Sequence, residues 1–119
     1  MSRTTVGEPP AQVDLIVYAG DDYAVEVGVF DPGGAAADLT GYTAAAQVRP
    51  SPPADLVLVE FAATITGNVV TLILTHDQTA LFERDASWDV QITSAGAIVT
   101  TLAYGAVRVI REVTRYAAA

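Results

Sequence analysis

Apolar and polar residues alternate with a period of two along most of this chain, and glycine or proline interrupts the pattern at short intervals. Period two is the repeat of a strand with one buried face. Val13, Leu15 and Val17 share a face. Tyr23, Val25, Val27 and Val29 do the same, with Ala24, Glu26 and Gly28 opposite. Asp31-Pro32-Gly33-Gly34 is a stop. Tyr42, Ala44, Ala46 and Val48 then alternate with Thr43, Gln47 and Arg49, up to Pro50-Ser51-Pro52-Pro53. Proline restricts both itself and its predecessor, so the strand ends there. Leu56 to Ala62 reads as the next strand, with Val57, Val59 and Phe61 inward. Gly67-Asn68 turns the chain into Val69 to Leu74, which predicts a hairpin. Trp88, Val90 and Ile92 alternate with Asp89, Gln91 and Thr93, and Ser94-Ala95-Gly96 is the next turn. Ile98 to Tyr104 and Val107 to Val113 close the series, with Gly105 expected as a bulge or bend between them.

One segment reads as helix. Thr75-His76-Asp77-Gln78 fits a capping box, and Thr79 to Phe82 would extend it to about two turns, with Leu81 and Phe82 plugging one end of the core. Twenty-one alanines favour helix by propensity. They lie among Val, Ile, Thr and Tyr in period-two runs, however, and periodicity is the stronger signal. The expected fold is all-β: an antiparallel immunoglobulin-like β-sandwich of seven or eight strands, with one short helical turn and no cysteine pair. Residues 1–12, polar and carrying Pro9-Pro10, read as an N-terminal arm. Residues 13–116 form the sandwich, and 117–119 are a C-terminal tail.

Composition narrows the chemistry. The chain has 119 residues, enough for one domain with its own core. It is 51% hydrophobic and 17% charged, which excludes a disordered segment. With no cysteine, disulfides, thiolate metal sites and cysteine nucleophiles are excluded. Fourteen acidic residues face six basic ones, all Arg, for a net charge of −8. That field repels phosphate backbones, so nucleic acid is not an expected partner. No apolar run is long enough to span a bilayer as a helix, and no signal peptide is visible, so no membrane contact is expected.

Candidate site residues are few. His76 stands alone, at the start of a helical turn whose N-terminus disfavours its protonated form, and reads as a surface residue. Asp21 and Asp22 are the candidates for calcium, joined by Asp31, Asp38 and Asp85 if the loops converge. Turn formation explains those aspartates more simply. No serine lies in an elbow motif, and no glycine pattern makes a phosphate loop. The expectation is a protein without catalytic residues, cofactor or resident metal. Tyr18 and Tyr104 are candidates for an exposed sugar platform. Arg108, Arg111 and Arg115, with Tyr116 beside them, gather half the positive charge near the last strand. They read either as a solvated edge or as a contact for an acidic neighbour, including a second copy of the chain.

In order along the chain come Gly20-Asp21-Asp22-Tyr23, Asp38-Leu39-Thr40-Gly41-Tyr42-Thr43 and Ala46-Gln47-Val48-Arg49. Leu72-Ile73-Leu74-Thr75 with Gln78-Thr79-Ala80 follows, then Trp88-Asp89-Val90-Gln91, Thr101-Leu102, Gly105-Ala106-Val107 and Val113-Thr114-Arg115. Over residues 18 to 116 this series resembles a family of small β-sandwich virion proteins of tailed bacteriophages, found at tail tips, baseplates and fibres. The resemblance implies a non-enzymatic structural protein of the virion, made in the bacterial host cytoplasm. Its role would be docking onto other virion proteins, as a homo-oligomer within the particle. The N-terminal arm and the Arg-bearing strand would supply the contacts. Two other readings stay open: a capsid or neck decoration protein, and a carbohydrate-binding module that attaches to a host glycan.

Overall fold

The computed structural model describes residues 2–5, 8–111 and 113. Ten strands and one helical turn form two packed sheets. They are β1 (Ser2–Thr5), β2 (Ala11–Gln12), β3 (Leu15–Tyr18), β4 (Tyr23–Phe30), β5 (Thr43–Arg49), β6 (Val59–Glu60), β7 (Ala62–Thr66), β8 (Val69–Leu74), α1 (His76–Thr79), β9 (Ala86–Thr93) and β10 (Val99–Ile110). The first sheet runs β1-β4-β8-β7. The second runs β2-β10-β9-β5-β6, with β3 lying beyond β2 along the same side of β10. The all-β sandwich is therefore present, with ten strands among the described residues where seven or eight were expected.

The extra strands have identifiable sources. Within the stretch read as an N-terminal arm, β1 pairs with β4 and β2 pairs with β10, so these two segments belong to the sheets. Both pairings are parallel, as is β3 on β10, so the sheets are mixed and not purely antiparallel. Pro9 and Pro10 fall between β1 and β2, where no ladder hydrogen bond is required of them. The segment read as one strand over 56–62 divides at Phe61. Val59 and Glu60 pair with β5 in the second sheet, whereas Ala62 onward pairs with β8 in the first. Phe61 is buried at that crossing and meets Trp88 edge to face, with ring centroids 6.1 Å apart.

The inward sets follow the alternation. Val27 and Val29, Val70, Leu72 and Leu74 come from the first sheet. Ala46 and Val48, Trp88, Val90 and Ile92, with Leu102, Ala103 and Val107, come from the second. Each fully buried aliphatic side chain contributes about 1.5–3 kcal/mol of transfer free energy. The β7–β8 hairpin turns at Gly67, whose φ of +61° favours a residue without a Cβ.

α1 is shorter than two turns. Thr75 caps it: its hydroxyl accepts the Gln78 amide, and its own amide donates to the Gln78 side chain at 2.9 Å. The helix ends at Thr79, so Leu81 does not plug the core and is 65% exposed. Phe82 is buried, and Thr79 takes the other inward position.

β10 is continuous through Gly105. Its bulge lies between Thr101 and Ala103, which turns both Leu102 and Ala103 into the core. Nor is β10 a sheet edge, because β9 covers one side and β2 and β3 the other.

Candidate functional site

Gly105 is explained by its neighbour. Where Val13 and Asp14 pass β10 between β2 and β3, the Val13 carbonyl turns into the space a side chain on Gly105 would need. A Cβ there would overlap the Val13 carbonyl oxygen and lie 2.7 Å from its carbon. That carbonyl accepts a hydrogen bond from Trp88 Nε1 at 2.8 Å. The Asp14 carboxylate replaces a ladder acceptor by taking the Ala106 amide at 3.0 Å. This lock raises Asp14 along one side of the outer face of the six-stranded sheet.

The opposite side is raised by the proline-rich loop after β5. Arg49 reaches it from the strand end, with Nη1 donating to the carbonyls of Ala54 at 2.7 Å and Asp55 at 3.0 Å. Its Nη2 donates to Gln47 Oε1 at 2.9 Å. Between these walls lies a groove of about 740 Å³ across β10, β9 and β5. That volume is in the range of small-molecule sites, roughly 300–1,000 Å³. Small side chains, Ala45, Ser87 and Ala106, line it together with polar ones.

The strand register sets out the polar groups. Gln12, Tyr104, Asp89 and Gln47 stand directly opposite one another on four neighbouring strands, and Gln91 lines the groove one outward position further along β9. Among the described residues, no protein hydrogen bond engages the side chains of Gln12, Tyr104, Asp89 or Gln91. Partial burial pushes the Asp89 carboxyl above its ordinary value, with the Arg49 charge opposing that shift. Sequence reasoning named Tyr104 of this row, paired with Tyr18, and passed over Gln12, Gln47, Asp89 and Gln91, because each looks like an ordinary outward strand residue. Only the register brings them into one row.

Of the candidates named from sequence, Tyr104 and Arg108 line this groove, and the other candidates among the described residues fall elsewhere. Asp21 and Asp22 belong to a structural corner. Asp22 accepts the His76 amide at 2.8 Å and contacts His76 Nδ1 at 3.0 Å. The Asp21 carbonyl accepts the Thr79 hydroxyl at 2.7 Å, and that hydroxyl accepts the Gly20 amide at 3.0 Å. The hydrogen bond to Asp22 raises the His76 pKa, reversing the direction expected from a helix N-terminus. The hydrogen bond to the imidazole in turn lowers Asp22. Asp31, Asp38 and Asp85 each take a backbone amide, those of Ala35, Thr40 and Val109. No group of three or more His, Asp or Glu side chains among the described residues could hold a metal ion.

Tyr18 and Tyr104 do not form a platform. Both face outward from the six-stranded sheet, but Tyr18 stands opposite Ile110, six residues along β10 from Tyr104. At the usual strand rise that is about 20 Å.

Arg108 and Arg111 are exposed. Arg108 stands opposite Ile16, and Arg111 donates to the Glu83 carbonyl at 3.5 Å. Arg115 and Tyr116 lie outside the described residues. Beside Arg108, the outward residues Ile16, Tyr18 and Ile110 are 56%, 53% and 42% exposed. The basic segment therefore borders a patch of apolar side chains that is exposed among the described residues, which the charge pattern alone did not reveal. The chain matches no protein-family model and no curated protein.

Proposed function

We propose that this chain is a non-enzymatic docking module of a tailed-phage particle, seated at the tail tip, baseplate or fibre base among other virion proteins. The observation that carries the reading is the patch on β3 and β10. Ile16, Tyr18 and Ile110 present apolar surface next to Arg108 and Arg111, on a face held rigid by two packed sheets. Aromatic and aliphatic anchors rimmed by arginine are a common composition for protein interfaces. An acidic partner fits the arginines, and the chain's own net charge of −8 makes a second copy one such partner.

The motifs that carry the family resemblance also support the reading, because they coincide with scaffold features. Gly20-Asp21-Asp22 meets Thr75 to Thr79 at the capped corner, and Trp88 meets Gly105 at the lock. Shared scaffold residues indicate a common building block more than a common chemistry.

Quantitative mass spectrometry of purified particles tests the proposal, combined with an Ile16→Glu, Ile110→Glu variant of the full chain. The expected result is a low copy number matching tail symmetry, and loss of the double variant from particles although it folds. Tens to hundreds of copies per particle would move the chain to the capsid. Its absence from particles would end the virion reading.

A further inference from the structure

We propose that the groove across β10, β9 and β5 is a binding site for an uncharged, hydroxyl-rich ligand, an oligosaccharide of pyranose units. This inference stands apart from the docking role, which uses the β3–β10 patch.

The groove's charges balance. Asp14 and Asp89 face Arg49 and Arg108, so the site as a whole favours neither an anion nor a cation. Its remaining polar groups are amides and hydroxyls: Gln12, Gln47, Gln91, Ser87 and Tyr104. Amides and hydroxyls both donate and accept, as sugar hydroxyls do, and a carboxylate accepts from two hydroxyls at once. Tyr104 adds a partly exposed ring against which the C–H face of a pyranose packs.

Two other ligand classes fit less well. An extended peptide gains affinity by adding to a sheet edge. Here β9 is paired on both sides, β10 is flanked by β9 and by β2 and β3, and β5 is paired by β6 at Gln47 and Val48, so little free edge borders the groove. Phosphate-bearing ligands meet Asp89 at the centre of the row and a strongly acidic chain.

The arrangement is also preorganised. Arg49 pins one wall through two backbone carbonyls, and the Trp88–Val13 bond pins the other. Asp89 points the same way. A half-buried carboxylate with no hydrogen bond among the described residues is disfavoured when ionised, the nearby Arg49 charge offsetting only part of that, so its place in the groove fits a ligand better than it fits stability.

The test is a two-dimensional amide NMR titration of the full, isotope-labelled chain with cellopentaose, maltopentaose and a linear mannopentaose. Saturable shifts are expected for at least one sugar at Gln47, Asp89, Gln91 and Tyr104. Asp89→Asn and Tyr104→Ala should each weaken binding by about tenfold, the scale of one hydrogen bond to a charged group or one stacked ring. Asp89→Asn removes the ionised group that burial disfavours, so it should fold at least as well as the parent. Its own spectrum checks that before any sugar is added. Saturable shifts centred elsewhere, undiminished binding by both variants, or no saturable shift with any of the three sugars would each overturn the proposal.

Discussion

Two long-range junctions tie this sandwich together, and they work by different physics. At the lock, Trp88, Val13 and Gly105 join β9, the β2–β3 passage and β10 through a buried indole, one neutral hydrogen bond and a missing Cβ. At the corner, Asp22, His76 and Thr79 join the Gly20 turn to α1 through one buried hydroxyl and one exposed ion pair. The lock has no ionisable group in its central contact, so pH and salt should leave it unchanged. The corner is partly ionic and solvent-facing, so both should modulate it.

The largest effect should come from emptying the lock. Trp88→Ala deletes an indole that is 3% exposed, leaves a cavity against Phe61 and strands the Val13 carbonyl. Chemical denaturation should show a loss of about 4 kcal/mol. A loss near 1 kcal/mol would mean that the indole is not a keystone. Gly105→Ala approaches the same junction from the other side. Its Cβ meets backbone, which cannot swing away as a flexible side chain would, so a loss of at least about 2 kcal/mol is expected. Because both changes act on one contact, their effects should be far from additive. A double-mutant cycle measures that directly.

The lock also marks the limit of what the chain discloses by itself. Alternation placed Val70, Leu72 and Leu74, or Trp88, Val90 and Ile92, on buried faces correctly, because period two is a local property. The capping box at Thr75 was legible for the same reason. Gly105 was expected to bend a strand, and its actual reason lies some ninety residues away at Val13. His76 was judged from its helix end, but its partner is Asp22, 54 residues off. β1 and β2 were missed because short parallel strands with prolines between them carry little alternation. The groove was invisible for a related reason. Gln47, Asp89 and Tyr104 become neighbours only through register, and register is a property of pairs of strands.

The corner divides into a buried and an exposed part, which two variants separate. Thr79→Val keeps the shape of a fully buried side chain while removing both the donor to Asp21 and the acceptor for Gly20. A loss of about 1–2 kcal/mol is expected, since two backbone groups are left without partners. It should be the same at acid and neutral pH, because no charge is involved. A pH-dependent loss would mean that the hydroxyl and the ion pair act as one unit.

His76→Gln should give the smallest effect and the only one tied to pH. The Asp22 hydrogen bond and charge, with Asp77 at 3.7 Å from the other ring nitrogen, hold the His76 pKa above its ordinary 6.5. A raised value means that the folded state holds the proton more tightly. The stabilisation is therefore complete below about pH 6.5 and disappears as pH rises through the raised value. Asp22 is lowered from 3.8, so its share is complete above that pH and is lost as pH falls through the lowered value. Both shares coexist in full between about pH 3.8 and 6.5. Thermal melts of the parent across pH 5 to 9 should show a small alkaline decline, and added salt should shrink it, since both partners face water. In His76→Gln that decline should vanish, while the backbone amide at position 76 can still donate to Asp22. An alkaline decline that survives the substitution would remove the ionic half of the corner. The two junctions would then differ only in depth of burial.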